Sequence, residues 1–114
     1  MSEWKVVMTP EFRKELWEIH NYIAKTLLAP ETAGKQTKRI WAMVKRLDFM
    51  PLRHSLYNRE PWRSRKIRTL PIDNYIVLYL PNEETKDVFI LHVFYGGRDI
   101  DDVLKKNENT PVSN

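Results

Sequence analysis

The sequence predicts an α+β domain in the order β-α-α-β-β-β, a helical hairpin packed on a twisted, mainly antiparallel sheet. Two patterns carry this reading. Apolar residues recur at helical spacing from Phe12 to Leu27 and again from Ala33 to Leu47. Runs rich in β-branched and aromatic residues, separated by turn-forming Pro, Asn and Asp, then fill residues 63 to 95. A chain of 114 residues suits one domain, and its 42% hydrophobic content, with four Trp, five Tyr and four Phe, can supply a core.

Trp4-Lys5-Val6-Val7-Met8 reads as a short strand. Thr9 can cap the helix that follows, Pro10 suits its first position, and Glu11 complements the helix dipole. Phe12, Leu16, Ile19, Ile23 and Leu27 then form one apolar stripe. Leu28-Ala29-Pro30 breaks the helix. A second helix starts near Glu31 and turns Ala33, Thr37, Ile40, Trp41, Val44 and Leu47 to one side, with Lys35, Lys38, Arg39, Lys45 and Arg46 on its other faces. So short a link favours an antiparallel hairpin. Met50-Pro51 ends it.

Three strands are expected next. The first runs from about Arg63 to Leu70, and Pro71-Ile72-Asp73-Asn74 turns it. The second is Tyr75 to Leu80, and the third Asp87 to Tyr95. The last two are apolar on both faces, as expected if helices cover one side of the sheet and other parts of the chain the second. Gly96-Gly97 ends the third strand, and a short acidic turn or helix is expected from Asp99 to Lys105. Residues 1–105 read as the domain and residues 106–114 as a polar tail.

Charge is concentrated in one segment. Residues 51 to 70 hold six basic side chains and one acid, a local +5 against +4 for the whole chain. Residues 1 to 50 carry nine basic and six acidic groups, and residues 71 to 114 carry four and eight. The basic stretch also contains His54, Tyr57 and Trp62, which pair cations with stacking surfaces as a single-stranded polyanion requires. Arg53, Arg59, Trp62, Arg63 and Arg65 are therefore candidate RNA contacts. Strand alternation would send Lys66 and Arg68 to one face, roughly 7 Å apart, close to the spacing of successive phosphates. A solubilised edge strand is the competing explanation.

Several function classes are excluded or disfavoured. With no cysteine there are no disulfides, thiolate metal sites or thiol nucleophiles. No phosphate-binding glycine loop, dinucleotide fingerprint or nucleophile elbow is present, so no cofactor is expected. His20, His54 and His92 lie far apart in sequence, which disfavours a metal site. The N-terminus resembles no signal peptide and no long apolar run occurs, so a cytoplasmic protein without a membrane partner is expected. Metal-free RNA cleavage needs a base, an acid and cations on the in-line phosphate. Lys66, Arg68 and Arg98 could supply the charge; His92, Tyr95, His54 or Glu60 could move protons. Alternation would put His92 on one strand face with Val88, Ile90 and Phe94, where a lone histidine is more often a satisfied core residue.

The element order, together with Arg-Lys-Ile-Arg-Thr-Leu-Pro (65–71), Asn-Tyr-Ile-Val-Leu-Tyr (74–79) and Tyr-Gly-Gly-Arg-Asp (95–99), resembles the RelE/ParE toxins of bacterial type II toxin–antitoxin modules. Met-Thr-Pro-Glu-Phe (8–12) and Tyr-Ile-Ala (22–24) fit as well, so the resemblance spans about Trp4 to Leu104. It implies a RelE-like fold and a growth-inhibiting toxin restrained by a cognate antitoxin. RelE-like members cut mRNA in the ribosomal A site with basic and aromatic groups on the sheet. ParE-like members lack that set and inhibit DNA gyrase. In this comparison Lys66 and Arg68 match the basic pair on the strand after the hairpin, and Arg98 a basic residue following the last strand. Ile76 stands where many RNA-cleaving members have arginine, and Leu104 where RelE-like proteins often have a catalytic tyrosine. The Gly-Gly-Arg-Asp step is similar to ParE-like sequences. Placement of the charge favours a ribosome-dependent mRNA endonuclease, with gyrase inhibition as the alternative. Under the nuclease reading, Arg68→Ala should relieve toxicity and leave the fold intact.

Overall fold

The computed structural model describes residues 3 to 96. Strand β1 (Lys5–Met8) leads into helix α1 (Pro10–Asn21), which continues as a π-helical turn, Tyr22–Thr26. Helix α2 (Pro30–Lys45) follows, then short 3-10 turns at Arg46–Asp48 and Pro51–Arg53. Strands β2 (Arg68–Ile72), β3 (Tyr75–Asn82) and β4 (Asp87–Tyr95) complete the sheet, whose spatial order is β1-β4-β3-β2. β1 runs parallel to β4, and the other pairings are antiparallel. The predicted α+β architecture is therefore the one observed.

The predicted helix start is also present. The Thr9 hydroxyl oxygen accepts the Phe12 N–H at 3.3 Å, and Pro10 occupies the first helical position. The same hydroxyl donates to the Ile90 carbonyl at 2.6 Å, which fixes the helix origin against β4. The α1 and α2 stripes pack on one sheet face: Phe12, Leu16, Ile40, Val44 and Leu47 meet Leu70, Ile72, Val77, Tyr79, Val88, Ile90 and Val93 in the main core. A two-residue turn joins β2 to β3, with Asp73 in the left-handed region at φ 55°. Its carboxylate accepts from Arg39 Nε at 2.7 Å and Gln36 Nε2 at 3.0 Å, and so ties α2 to the hairpin.

The sheet's second face is covered as the two-sided apolar strands require, by the loop before β2. Trp62 and Ile67 pack on Leu78 and Phe94 in a smaller cluster flanked by Tyr57, Ile76 and Leu91.

That loop corrects the predicted strand from Arg63. Residues 59 to 67 instead close a series of tight turns, with Arg63 N–H to Arg59 carbonyl (2.9 Å), Arg65 to Pro61 (3.2 Å), Lys66 to Arg63 (3.0 Å) and Ile67 to Trp62 (3.2 Å). Glu60 Oε1 accepts the Ser64 N–H at 3.0 Å, so the local donors are satisfied without a strand partner. Lys66 sits at φ 67°, and the strand begins only at Arg68. The acidic segment and tail expected from Asp99 onward lie outside the described residues. Among those residues no helix is long and apolar enough to cross a membrane.

Candidate functional site

The basic segment divides into an exposed rim and a buried set of ties. Arg53, Arg59, Arg63, Arg65 and Lys66 are exposed. Trp62, expected to stack on bases, is instead 4% exposed and serves as the loop's apolar anchor, with the Arg65 guanidinium 5.0 Å from its ring centroid. Burial of the large ring outweighs its use as a surface platform, because the sheet's second face has no helix to cover it.

Arg68 and Lys66 do not project together. Register pairs Arg68 with Tyr79, on the face shared with Leu70, Ile72 and Val77, the face toward the helices. Arg68 is half-buried; its Nη1 donates to the His54 carbonyl at 2.6 Å, and its Nε is buried with no acceptor among the described residues. Lys66 lies in the preceding turn, where left-handed backbone breaks the alternation that would have aligned the two. It faces the β3–β4 turn, where Arg65, Lys66, Pro81, Asn82, Glu83 and Glu84 line a shallow cleft.

Around Arg68 a compact polar group does form. The buried Tyr79 hydroxyl donates to the Pro51 carbonyl at 2.6 Å, and burial holds its ionisation far above the usual phenol range. The His54 ring meets Tyr79 edge-on at 6.3 Å. Burial, reinforced by Arg53 and Arg68, pushes the His54 pKa below its ordinary value, so the ring is neutral at neutral pH. Ser55 and Tyr57 carry the loop along β2, through Thr69 N–H to Ser55 carbonyl (3.1 Å) and Tyr57 N–H to Ile67 carbonyl (2.8 Å).

His92 and Tyr95 lie elsewhere. β1 ends at Met8, leaving the upper part of β4 without a strand neighbour on that side. Glu15 takes the place of the missing strand: Oε1 accepts the Val93 N–H at 3.0 Å, and the carboxylate lies 3.1 Å from His92 Nδ1. His92 is 6% exposed and packs against α1 through Glu15, the satisfied core histidine expected as the alternative to a proton-transfer role. Sequence reasoning did not single out Glu15; its place one residue before buried Leu16, at the border of the apolar stripe, was the available signal. Tyr95 is exposed at the end of β4, its ring edge-on to Tyr75 at 6.0 Å. Arg98 lies outside the described residues.

The separations matter for chemistry. Tyr95 is paired with Tyr75, and Tyr75 with Ile72, four residues from Arg68 along β2. Two strand spacings and four residues of rise put Arg68 and Tyr95 backbones roughly 16 Å apart. Among the described residues, Lys66, Arg68, His92 and Tyr95 thus do not surround one reacting atom. No group of three His, Asp or Glu among them could hold a metal ion.

Similarity to known proteins follows the architecture. The sequence model of a family described as the ParE toxin of type II toxin–antitoxin system, parDE, matches residues 6–100. The fold is similar to a chain of the chromosomal ParDE TA system from P. aeruginosa, with TM-score 0.67, 21% identity, and coverage of 81% of this chain and 95% of that one. It is also similar to a chain of the RelBE2 toxin–antitoxin complex from Mycobacterium tuberculosis, with TM-score 0.58, 20% identity, and coverage of 81% and 96%. No curated protein matches the chain. With the family match spanning most of its length, the chain belongs to the ParE toxin family of type II toxin–antitoxin systems.

Proposed function

We propose that this toxin is held inactive by a cognate antitoxin and, once released, acts by binding DNA gyrase without cleaving RNA. The observation that carries the reading is the dispersal of the candidate catalytic groups: Lys66 in a turn, Arg68 tied to a carbonyl, His92 buried against Glu15, Tyr95 at the far end of the sheet. In-line phosphoryl chemistry needs its groups within hydrogen-bond reach of one phosphate. Binding a protein target has no such requirement. The match to the ParE family and the departures at Ile76 and Leu104 point the same way.

An antitoxin partner is supported by the neighbouring complexes and by the surface itself. On the outer side of the helical hairpin, Trp17 is 63% exposed and shares a groove with Arg13, Leu16, His20, Thr37 and Trp41. Exposed aromatic surface of this kind marks a protein contact. The cationic rim from Arg53 to Lys66 favours acidic segments and salt-sensitive association.

A second reading, ribosome-dependent mRNA cleavage, keeps one observation in its favour. His54 is held neutral beside Arg53 and Arg68, as a general base near a phosphate would be. Induction of the toxin while following labelled amino acids and thymidine separates the two. Loss of DNA synthesis with an SOS response and continuing translation is expected. Translation collapsing first, and restored by His54→Gln, would favour cleavage.

A further inference from the structure

A further concavity lies at the opposite end of the sheet from the basic rim. It has a volume of about 520 Å³ and is walled by Tyr22, Tyr75 and Tyr95, with Glu15, Glu18 and Ile19 along its helical side. We propose that this groove binds the guanidinium group of an arginine presented by a partner protein. The proposal does not depend on which target the toxin acts on.

The walls come from three elements. Glu15, Glu18 and Tyr22 follow one another at helical spacing, so they share one side of α1 and its π-helical continuation. At Tyr22 the helix widens into its π-turn, closed by the Leu27 N–H to Tyr22 carbonyl bond at 3.0 Å. Tyr75 and Tyr95 are cross-strand partners at the ends of β3 and β4, edge-on to each other. The three phenols are close enough to sense one another: burial, then Tyr95 and Tyr22, raise the Tyr75 pKa.

The chemistry of the lining selects the ligand. Among the described residues that form the groove there is no Lys or Arg, although the chain as a whole carries +4. Glu15 is engaged with Val93 and His92, whereas the Glu18 carboxylate is exposed and has no hydrogen bond or ion pair among the described residues. Aromatic faces beside an uncompensated carboxylate attract a cation and repel phosphate or an acidic peptide. A purely apolar ligand would desolvate Glu18 without return. Guanidinium fits best, since it stacks on a tyrosine face and can fork to a carboxylate, whereas an ammonium is compact and strongly hydrated.

Titration of the full chain with Nα-acetyl-arginine amide, read from the tyrosine ring proton shifts, tests this. Saturable shifts of Tyr22, Tyr75 and Tyr95 with a dissociation constant on the order of millimolar are expected. The corresponding lysine amide should bind several-fold more weakly, and the norleucine amide should leave the shifts unchanged. Glu18→Gln and Tyr95→Leu, both at exposed positions, should each weaken the arginine probe by about fivefold or more. Glu31→Gln, on α2, should not. Norleucine amide shifting the same rings as strongly, or Glu18→Gln binding arginine unchanged, would overturn the proposal. So would an absence of saturable shifts at roughly 50 mM probe.

Discussion

The two faces of the sheet are covered by different means. On one, two amphipathic helices contribute regularly spaced side chains to a core that includes wholly buried Phe12, Ile40, Val44, Val77 and Ile90. On the other, a loop dense in arginine is held by Trp62 and Ile67 on Leu78 and Phe94. The first cover is periodic and cooperative. The second rests on a few anchors and on backbone ties at Ser55, Tyr57 and Arg68. A run of charge in sequence is therefore not one charged surface: here it alternates between solvated arginines and groups that fasten the loop.

The helical face should respond most strongly to a lost side chain. Phe12→Ala removes a ring at the centre of the helical face and should cost about 3–5 kcal/mol, seen as a large fall in the denaturation midpoint. Trp62→Ala should cost less, about 2 kcal/mol, because the loop can open locally while the main core persists. Hydrogen exchange would then show the Tyr57 and Thr69 amides losing protection well before those of β4. Equal losses for the two variants, with uniform exchange, would mean that the faces form a single cooperative core.

Smaller changes sharpen the distinction within the loop. Arg68→Ala should destabilise by about 1–2 kcal/mol, since it removes a charge-assisted bond to the His54 carbonyl. Arg63→Ala, at an exposed position, should stay within about 0.5 kcal/mol. Arg68 is thus not the surface arginine on which the expectation of an unaffected fold rested, and loss of toxicity in Arg68→Ala would need Arg68→Lys and a stability measurement beside it. The smallest effect belongs to His54. Its folded pKa is depressed, so its contribution is fully present above the unfolded value of about 6.5 and is lost as pH falls through the folded pKa. Stability should decline on acidification below neutrality, and the decline should be shallower in His54→Gln.

Much of the fold is legible in the residues. Thr9-Pro10 marks the helix start, Pro30 the second helix, and Asp73-Asn74 the hairpin, because each acts through local backbone geometry. The turns that replace the predicted strand from Arg63 are not legible. Val, Ile and aromatic residues are sparse there, and the turn that wins depends on Glu60 meeting the Ser64 amide and on Trp62 finding the sheet. The candidate site is less legible still. Alternation puts Lys66 and Arg68 on one face only if both belong to a strand, and the left-handed backbone at Lys66 removes that condition. Glu15 escapes notice because its role is set by where β1 stops, a tertiary fact with no local signature.

The most direct test of a binding toxin is a supercoiling assay with purified gyrase and the freshly released toxin, run beside a ribosome-programmed mRNA cleavage assay. Gyrase inhibition that rises with toxin concentration, with the mRNA left intact, is the predicted result. Intact supercoiling activity together with mRNA cut in the ribosomal A site would contradict it.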